Sequence, residues 1–211
     1  MKLDIEEALR YLGAGTDAPE DLRRTVTEVG EELVKSVQPR WTWQVIPLGE
    51  TCPVPLTGKL AKTMLARCDR VVLLCCTLGV RFDTLVRNQQ VRDMSRTVML
   101  DACGSAWVEA GCDAAEKEIA DRFPGMYLTD RFSPGYGDLP LTLQKHICAI
   151  LDTQRRLGVH VTESSLLNPQ KTVTALIGLS DQPQMARIRG CEYCSMRENC
   201  LLRKGGKRCA L

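Results

Sequence analysis

Apolar residues recur at helical spacing over 19–37, at Leu22, Val26, Val29, Leu33 and Val34. That period predicts a helix with one buried stripe. Pro19, just after Asp17 and Ala18, suits the first helical position. Residues 3–12 read as a shorter helix. "WTWQVIPL" (41–48) predicts a strand, and "GETCPVPLTG" (49–58), with two prolines, a loop. A helix over 58–67 leads into a buried strand, "RVVLLCCTLG" (70–79). Helices follow at 80–92 and 95–122. The second is long and carries Met99, Ala102, Trp107, Ala110 and Ile119 on roughly one side. After an irregular loop come a helix (140–157) and two strands, "VHVTES" (159–164) and the β-branched "KTVTALIGL" (171–179).

These elements do not alternate as βαβ units. The expected class is α+β, a mixed or antiparallel twisted sheet with flanking helices. The pattern stops near Asp181, where the chain turns polar, basic and cysteine-rich. We therefore divide it into a domain, 1–182, and a cysteine-rich, metal-binding tail, 183–211.

Composition narrows the function classes. A net charge of +2 carries neither the basic surplus of a nucleic-acid binder nor an acidic tail. The longest apolar run, 71–80, is too short to span a bilayer. "MKLDIEEALRYLG" is amphipathic and acidic, unlike a signal peptide, so a cytoplasmic location is expected.

Cysteine is the outlier, with 11 residues in two groups. Cys52, Cys68, Cys75, Cys76, Cys103, Cys112 and Cys148 lie in apolar segments and read as small buried hydrophobes. The others form Cys191-x2-Cys194-x5-Cys200-x8-Cys209. A C-x-x-C pair with two further thiols nearby can close a tetrahedron around a metal. Arg203, Lys204, Lys207 and Arg208 would offset the thiolate charge. Zinc would make the tail a structural knot; a [4Fe–4S] cluster would make it an electron relay. The spacing itself does not choose between them.

The loop "RFSPGYGDLP" (131–140) is the other candidate site. Pro134 fixes its own φ and biases Ser133 towards extended geometry. Gly135 can adopt positive φ and leaves room for a ligand beside the backbone. Tyr136 projects from that stiff turn with an aromatic face and a hydroxyl. Arg131 offers a planar fork to a carboxylate or phosphate. The plainer alternative is a structural turn with Arg131 in a surface ion pair. Glu163 closes the strand 159–164 and could face a site or simply be a solvated loop carboxylate.

In this order and spacing, "RFSPGYGDLPLTLQ" and "VTESSLLNPQKTVTALIGL" resemble the reactivation domain of cobalamin-dependent methionine synthase. There an Arg-x-x-Pro-Gly-Tyr loop precedes a helix and a Thr-Glu-Ser…Pro…Ser-Val-Ser segment. "VMLDACGSAWVEAGCDAAEKEI" (98–119) is similar to the long helix before that loop, and "VLLCCTLG" (72–79) to a strand of the domain.

The resemblance implies a free-standing activation subunit. It would bind S-adenosylmethionine and present the methyl group to cob(II)alamin while an electron is supplied. The cobalamin would be carried by a partner, a methionine synthase or another corrinoid protein, and the electron would come from a separate donor. Arg131 would pair with the ligand's carboxylate, and Pro134, Gly135 and Tyr136 would line its pocket. Glu109 would meet the ligand's polar groups, and Glu163 matches the Thr-Glu-Ser position. An electron requirement favours a [4Fe–4S] cluster over zinc in the tail. The chain departs from the family pattern at Thr142, where a histidine is usual, and at Leu176 and Ile177, where the family has an aromatic pair. The alternative function is a metal-binding adaptor that has lost S-adenosylmethionine binding.

"PLTGKLAKT" (55–63) is not a phosphate loop, because Pro53 and Leu60 occupy positions that need Gly and Ser or Thr. Trp41, Trp43 and Trp107 read as core residues, and His146 and His160 as ordinary.

Overall fold

The computed structural model describes residues 1–14, 17–184, 188 and 198. The first helix, α1 (Ile5–Tyr11), starts where the Asp4 carboxylate accepts the Glu7 backbone N–H at 3.1 Å. Helix α2 (Glu20–Ser36) buries Val26, Val29 and Leu33, as its period predicts. Pro19 is not its first helical residue but its N-cap, with an extended ψ of 146°. The chain continues through β1 (Arg40–Pro47), α3 (Lys59–Met64), β2 (Arg70–Thr77), α4 (Val80–Gln90) and α5 (Met94–Arg122). It ends with β3 (Tyr127–Leu128), α6 (Leu143–Leu151), α7 (Thr153–Leu157), β4 (His160–Val161), β5 (Leu167–Asn168) and β6 (Thr172–Ser180).

The main sheet has the order β1-β2-β6-β3, and every neighbour is antiparallel. Strand β2 lies between β1 and β6, and its side chains alternate between two cores. Val71, Leu73 and Cys75 pack with α3, α6 and α7. Val72 and Leu74 face α5 with Ala175, Ile177 and Leu179 of β6. Cys76, at the far end of that face, joins the layer of α1, α2, α4 and α5. A strand covered on both faces accounts for the nearly continuous apolar run.

Helix α5 is the axis of the molecule. It touches the sheet on one side and the helices α1, α2 and α4 on others, so it is buried on more than the one side its sequence pattern suggests. Small residues make this close approach feasible. A Cβ at Gly111 would sit 2.5 Å from Pro39 Cβ and 2.9 Å from Cys76 Sγ. Trp107 is fully buried, with its indole N–H donating to the Val37 carbonyl at 2.8 Å. Trp41 and Trp43 are only half-buried, and both indoles donate to the Glu118 carboxylate, at 2.9 and 2.8 Å.

Two expected elements are shorter than their patterns. The helix over 140–157 starts only at Leu143, and it divides at Asp152, which is left-handed (φ 49°, ψ 47°) and ends α6. Aspartate is among the few residues that tolerate that region. The strand over 159–164 is reduced to β4, because Thr162 turns the chain back: its N–H donates to Leu166 O and its hydroxyl accepts the Leu166 N–H. Strands β3 and β5, of two residues each, leave no readable period. Five of the scattered cysteines are buried, whereas Cys52 and Cys68 are half-buried. No described helix is long and apolar enough to cross a membrane.

Candidate functional site

The site begins with a single bridge at the sheet. Phe132 exchanges two backbone hydrogen bonds with Leu176 of β6, at 3.1 and 2.8 Å. Extended backbone sends neighbouring side chains to opposite faces. Phe132 enters the core beside α6, and Arg131 is delivered to the α5 face.

There Arg131 meets three carboxylates spaced i, i+4 and i+7 along α5, a spacing that stacks them on one helix face. Its Nη2 donates to Glu109 Oε2 at 2.6 Å and its Nη1 to Glu116 Oε1 at 2.7 Å. Asp113 Oδ1 lies 3.2 Å from both nitrogens. The guanidinium side chain is only 8% exposed. Burial works against its charge, but Cys112 and the carboxylates of Glu116, Glu109 and Asp113 outweigh that and raise its pKa. A buried cation with three acidic partners is well compensated.

The loop beyond Arg131 is held by its own backbone. The Gly135 N–H donates to Leu139 O at 2.8 Å, Tyr136 N–H to Ser133 O at 3.1 Å, and Leu139 N–H to Tyr136 O at 3.0 Å. Gly135 has φ +89°, which a side chain would strain. Pro134 is buried beneath the turn. The Asp138 carboxylate then fastens the loop to α3, accepting N–H groups of Lys59 (2.5 Å) and Leu60 (2.9 Å). These amides open α3, in the middle of the segment that superficially resembles a phosphate loop, and in the fold they hold a protein carboxylate.

Between this loop, α5 and the N-terminal segment lies a cavity of about 730 Å³, lined in part by Arg131, Tyr136, Glu109 and Asp113. That volume is within the usual range for small-molecule sites. Lys2, Asp4, Glu7 and Tyr11 supply another wall. The Tyr11 phenol is raised to about 12, by burial first and then by the negative charge of Glu7 and Glu109, so it is neutral at physiological pH. The Arg10 guanidinium lies 4.9 Å from its ring centre.

Of the residues expected at the site, Arg131, Tyr136 and Glu109 come together on this cavity. Pro134 and Gly135 shape the turn rather than the wall. Glu163 is exposed in the β4–β5 turn, where its carbonyl accepts from Lys145 Nζ at 3.3 Å, and it does not line the cavity. Cys191, Cys194, Cys200 and Cys209 lie outside the described residues. The sequence reading missed Asp113 and Glu116, although Glu109-x3-Asp113-x2-Glu116 on a helix is a visible acidic stripe. It also missed the α1 wall, whose residues reach the site only through tertiary packing.

No protein-family model matches the chain, and no curated protein matches it in sequence. Among solved structures it is similar to the crystal structure of the MetH reactivation domain bound to AdoHcy, with a TM-score of 0.59 and 15% sequence identity. The match covers 94% of this chain and 76% of that one. The likeness therefore extends across the N-terminal helices as well as the loop and sheet, and the chain has the fold of the MetH reactivation domain.

Proposed function

We propose that the cavity beside Arg131 binds S-adenosylmethionine, and that the chain acts as an activation subunit for a corrinoid protein, a cobalamin-dependent methionine synthase or a related methyltransferase. The observation that carries this reading is the cluster of Arg131 with Glu109, Asp113 and Glu116 at the edge of a ligand-sized cavity. The amino-acid end of the ligand is a zwitterion. Its carboxylate suits a guanidinium, and its ammonium suits the acidic partner displaced from that guanidinium. The exchange keeps each charge paired, which limits the desolvation cost. A fold shared with a domain whose structure contains AdoHcy supports the same ligand class.

S-adenosylmethionine supplies the methyl group; the partner's cobalt, reduced by a one-electron donor, accepts it. The chain needs no nucleophile of its own. Its contribution is to hold the methyl carbon in line with the acceptor. The stiff turn of Ser133 to Tyr136 and the Asp138 clasp keep the binding wall in place before the ligand arrives. In the tail, Cys191, Cys194, Cys200 and Cys209 hold a metal, with a [4Fe–4S] cluster preferred to zinc because the chemistry consumes an electron. Visible absorption of anaerobically purified protein distinguishes the two.

Calorimetric titration with S-adenosylmethionine tests the ligand. Saturable binding by the wild type, lost or weakened at least tenfold in Arg131→Ala, is the expected result. A wild type without binding leaves the adaptor reading in its place.

A further inference from the structure

We infer that the free edge of β1 pairs with the same edge of a second copy of this chain, joining the two sheets across a two-fold axis at Trp43. Strand β1 ends the order β1-β2-β6-β3, so one of its edges has no neighbouring strand among the described residues. Its register with β2 fixes what that edge offers. Leu48, one residue beyond the Pro47–Arg70 pair, donates to Asp69 O at 2.9 Å. Along an antiparallel pair, successive residues point their N–H and C=O groups towards the neighbour and then away from it. Thr42, Gln44 and Ile46 therefore bond to β2, and Trp41, Trp43 and Val45 turn both backbone groups outward. No other described group takes up those outward bonds; the indoles of Trp41 and Trp43 are held by Glu118, but their backbones are not.

Two features of this edge suit a strand, and a copy of itself in particular. Natural edges are blunted by charge, proline or bulges, yet 41–46 reads Trp-Thr-Trp-Gln-Val-Ile, uncharged and rich in strand-forming residues. Proline stands instead at both ends. Pro39 and Pro47, the next outward positions on either side, have no N–H to give, and they are equally far from Trp43 along the chain. An antiparallel pairing centred on Trp43 sets Trp43 opposite its counterpart, Trp41 opposite Val45 and Pro39 opposite Pro47. Every outward N–H of the stretch then meets a C=O, and the positions that lack a donor face each other. A register shifted by two residues would set a proline against Trp41 or Val45 and leave a carbonyl unpaired. The facing side chains are aromatic with aromatic and aromatic with β-branched, pairs that stabilise sheets. Arg40 falls opposite Ile46, so no like charges meet. The contact is narrow, at the small end of specific interfaces, so the dimer forms reversibly with concentration.

Analytical ultracentrifugation of the full chain, with amide hydrogen exchange at low and high protein concentration, tests the pairing. A monomer–dimer equilibrium is expected. In the dimer the Trp41, Trp43 and Val45 amides should exchange at least about tenfold more slowly than in the monomer. The Thr42, Gln44 and Ile46 amides, bonded to β2, should be protected in both. Val45→Pro removes a donor on the outward side only, where an edge strand accepts proline. It should weaken dimerisation roughly tenfold or more, with the Thr42 and Gln44 amides still protected. Trp43→Lys sets two like charges opposite each other at the axis and should leave a monomer. A chain that stays monomeric up to about 1 mM, a dimer whose Trp41, Trp43 and Val45 amides exchange as in the monomer, or a dimer that survives either substitution overturns the inference.

Discussion

Nη2 of Arg131 lies 2.6 Å from Oε2 of Glu109, a residue 22 positions earlier in the chain. The contact joins the loop after β3 to the middle of α5, and it forms because the Phe132–Leu176 bridge turns Arg131 towards that helix. Its strength depends on company: Glu109, Asp113 and Glu116 are close enough to repel one another once the guanidinium is gone.

Arg131→Ala should therefore destabilise the fold as well as weaken ligand binding. Losing one partner of a fully buried pair costs about 3–5 kcal/mol. Here Glu109 and Asp113 reach solvent, so the expected loss is on the order of 2 kcal/mol. Urea unfolding of the variant measures it. The double variant Arg131→Ala/Glu116→Gln should recover part of the loss, because the most enclosed of the three carboxylates is neutralised.

Asp138 predicts a pH signature. The backbone N–H of Leu60, then that of Lys59, holds its carboxyl below the ordinary aspartate value of 3.8. A folded pKa below the unfolded one contributes stability above the unfolded pKa, and that contribution is lost as pH falls through the folded one. Wild type should exceed Asp138→Ala by a constant margin at neutral pH, and the margin should close below pH 3.8. Urea melts across that range, with hydrogen exchange at the Lys59 and Leu60 amides, read the effect.

Gly104→Ala tests the packing of α5. The added Cβ would overlap the ring of Phe82, which is fully buried and has nowhere to go. Overpacking costs roughly 1–3 kcal/mol, partly offset by the about 1 kcal/mol that alanine gains over glycine in a helix. Thermal unfolding should show a net loss, and Phe82→Leu in the same chain should make the pair of changes less costly than their sum.

Thiol mapping tests the two-sided core. Among the described cysteines, alkylation of the native protein followed by peptide mass analysis should label Cys52 first. Cys75, Cys76, Cys103, Cys112 and Cys148 should stay silent until the chain unfolds. Cys112 is doubly protected, since the hydrogen bond with Cys76 and burial both keep its thiol protonated. Cys68, raised to about 11 chiefly by burial, should label slowly at neutral pH and faster as the solution becomes strongly alkaline.

Elements with a regular burial pattern were legible in the sequence. Helix α2 announces itself by its period, and strands β2 and β6 by the continuous apolar runs that burial on both faces imposes. Helix α5 was found, but its faces were misjudged, since glycine and alanine let three layers approach it and an amphipathic pattern assumes one. The break at Asp152 and the turn at Thr162 rest on backbone geometry that leaves no hydrophobic signature. Within the site, Arg131 and Tyr136 were legible because proline and glycine mark a rigid turn. Asp113 and Glu116 acquire meaning only when Arg131 arrives from another element. Tyr11 and Glu7 are hidden further still, because nothing near them in the chain reports that α1 closes a cavity.

The most direct measurement is a crystal structure of the protein grown with S-adenosylmethionine. The account predicts ligand density in the cavity, with the ligand carboxylate on the Arg131 guanidinium and its ammonium within hydrogen-bond reach of Glu109 or Asp113. An empty cavity at saturating ligand, or a ligand seated elsewhere with the Arg131–Glu109 contact unchanged, would contradict it.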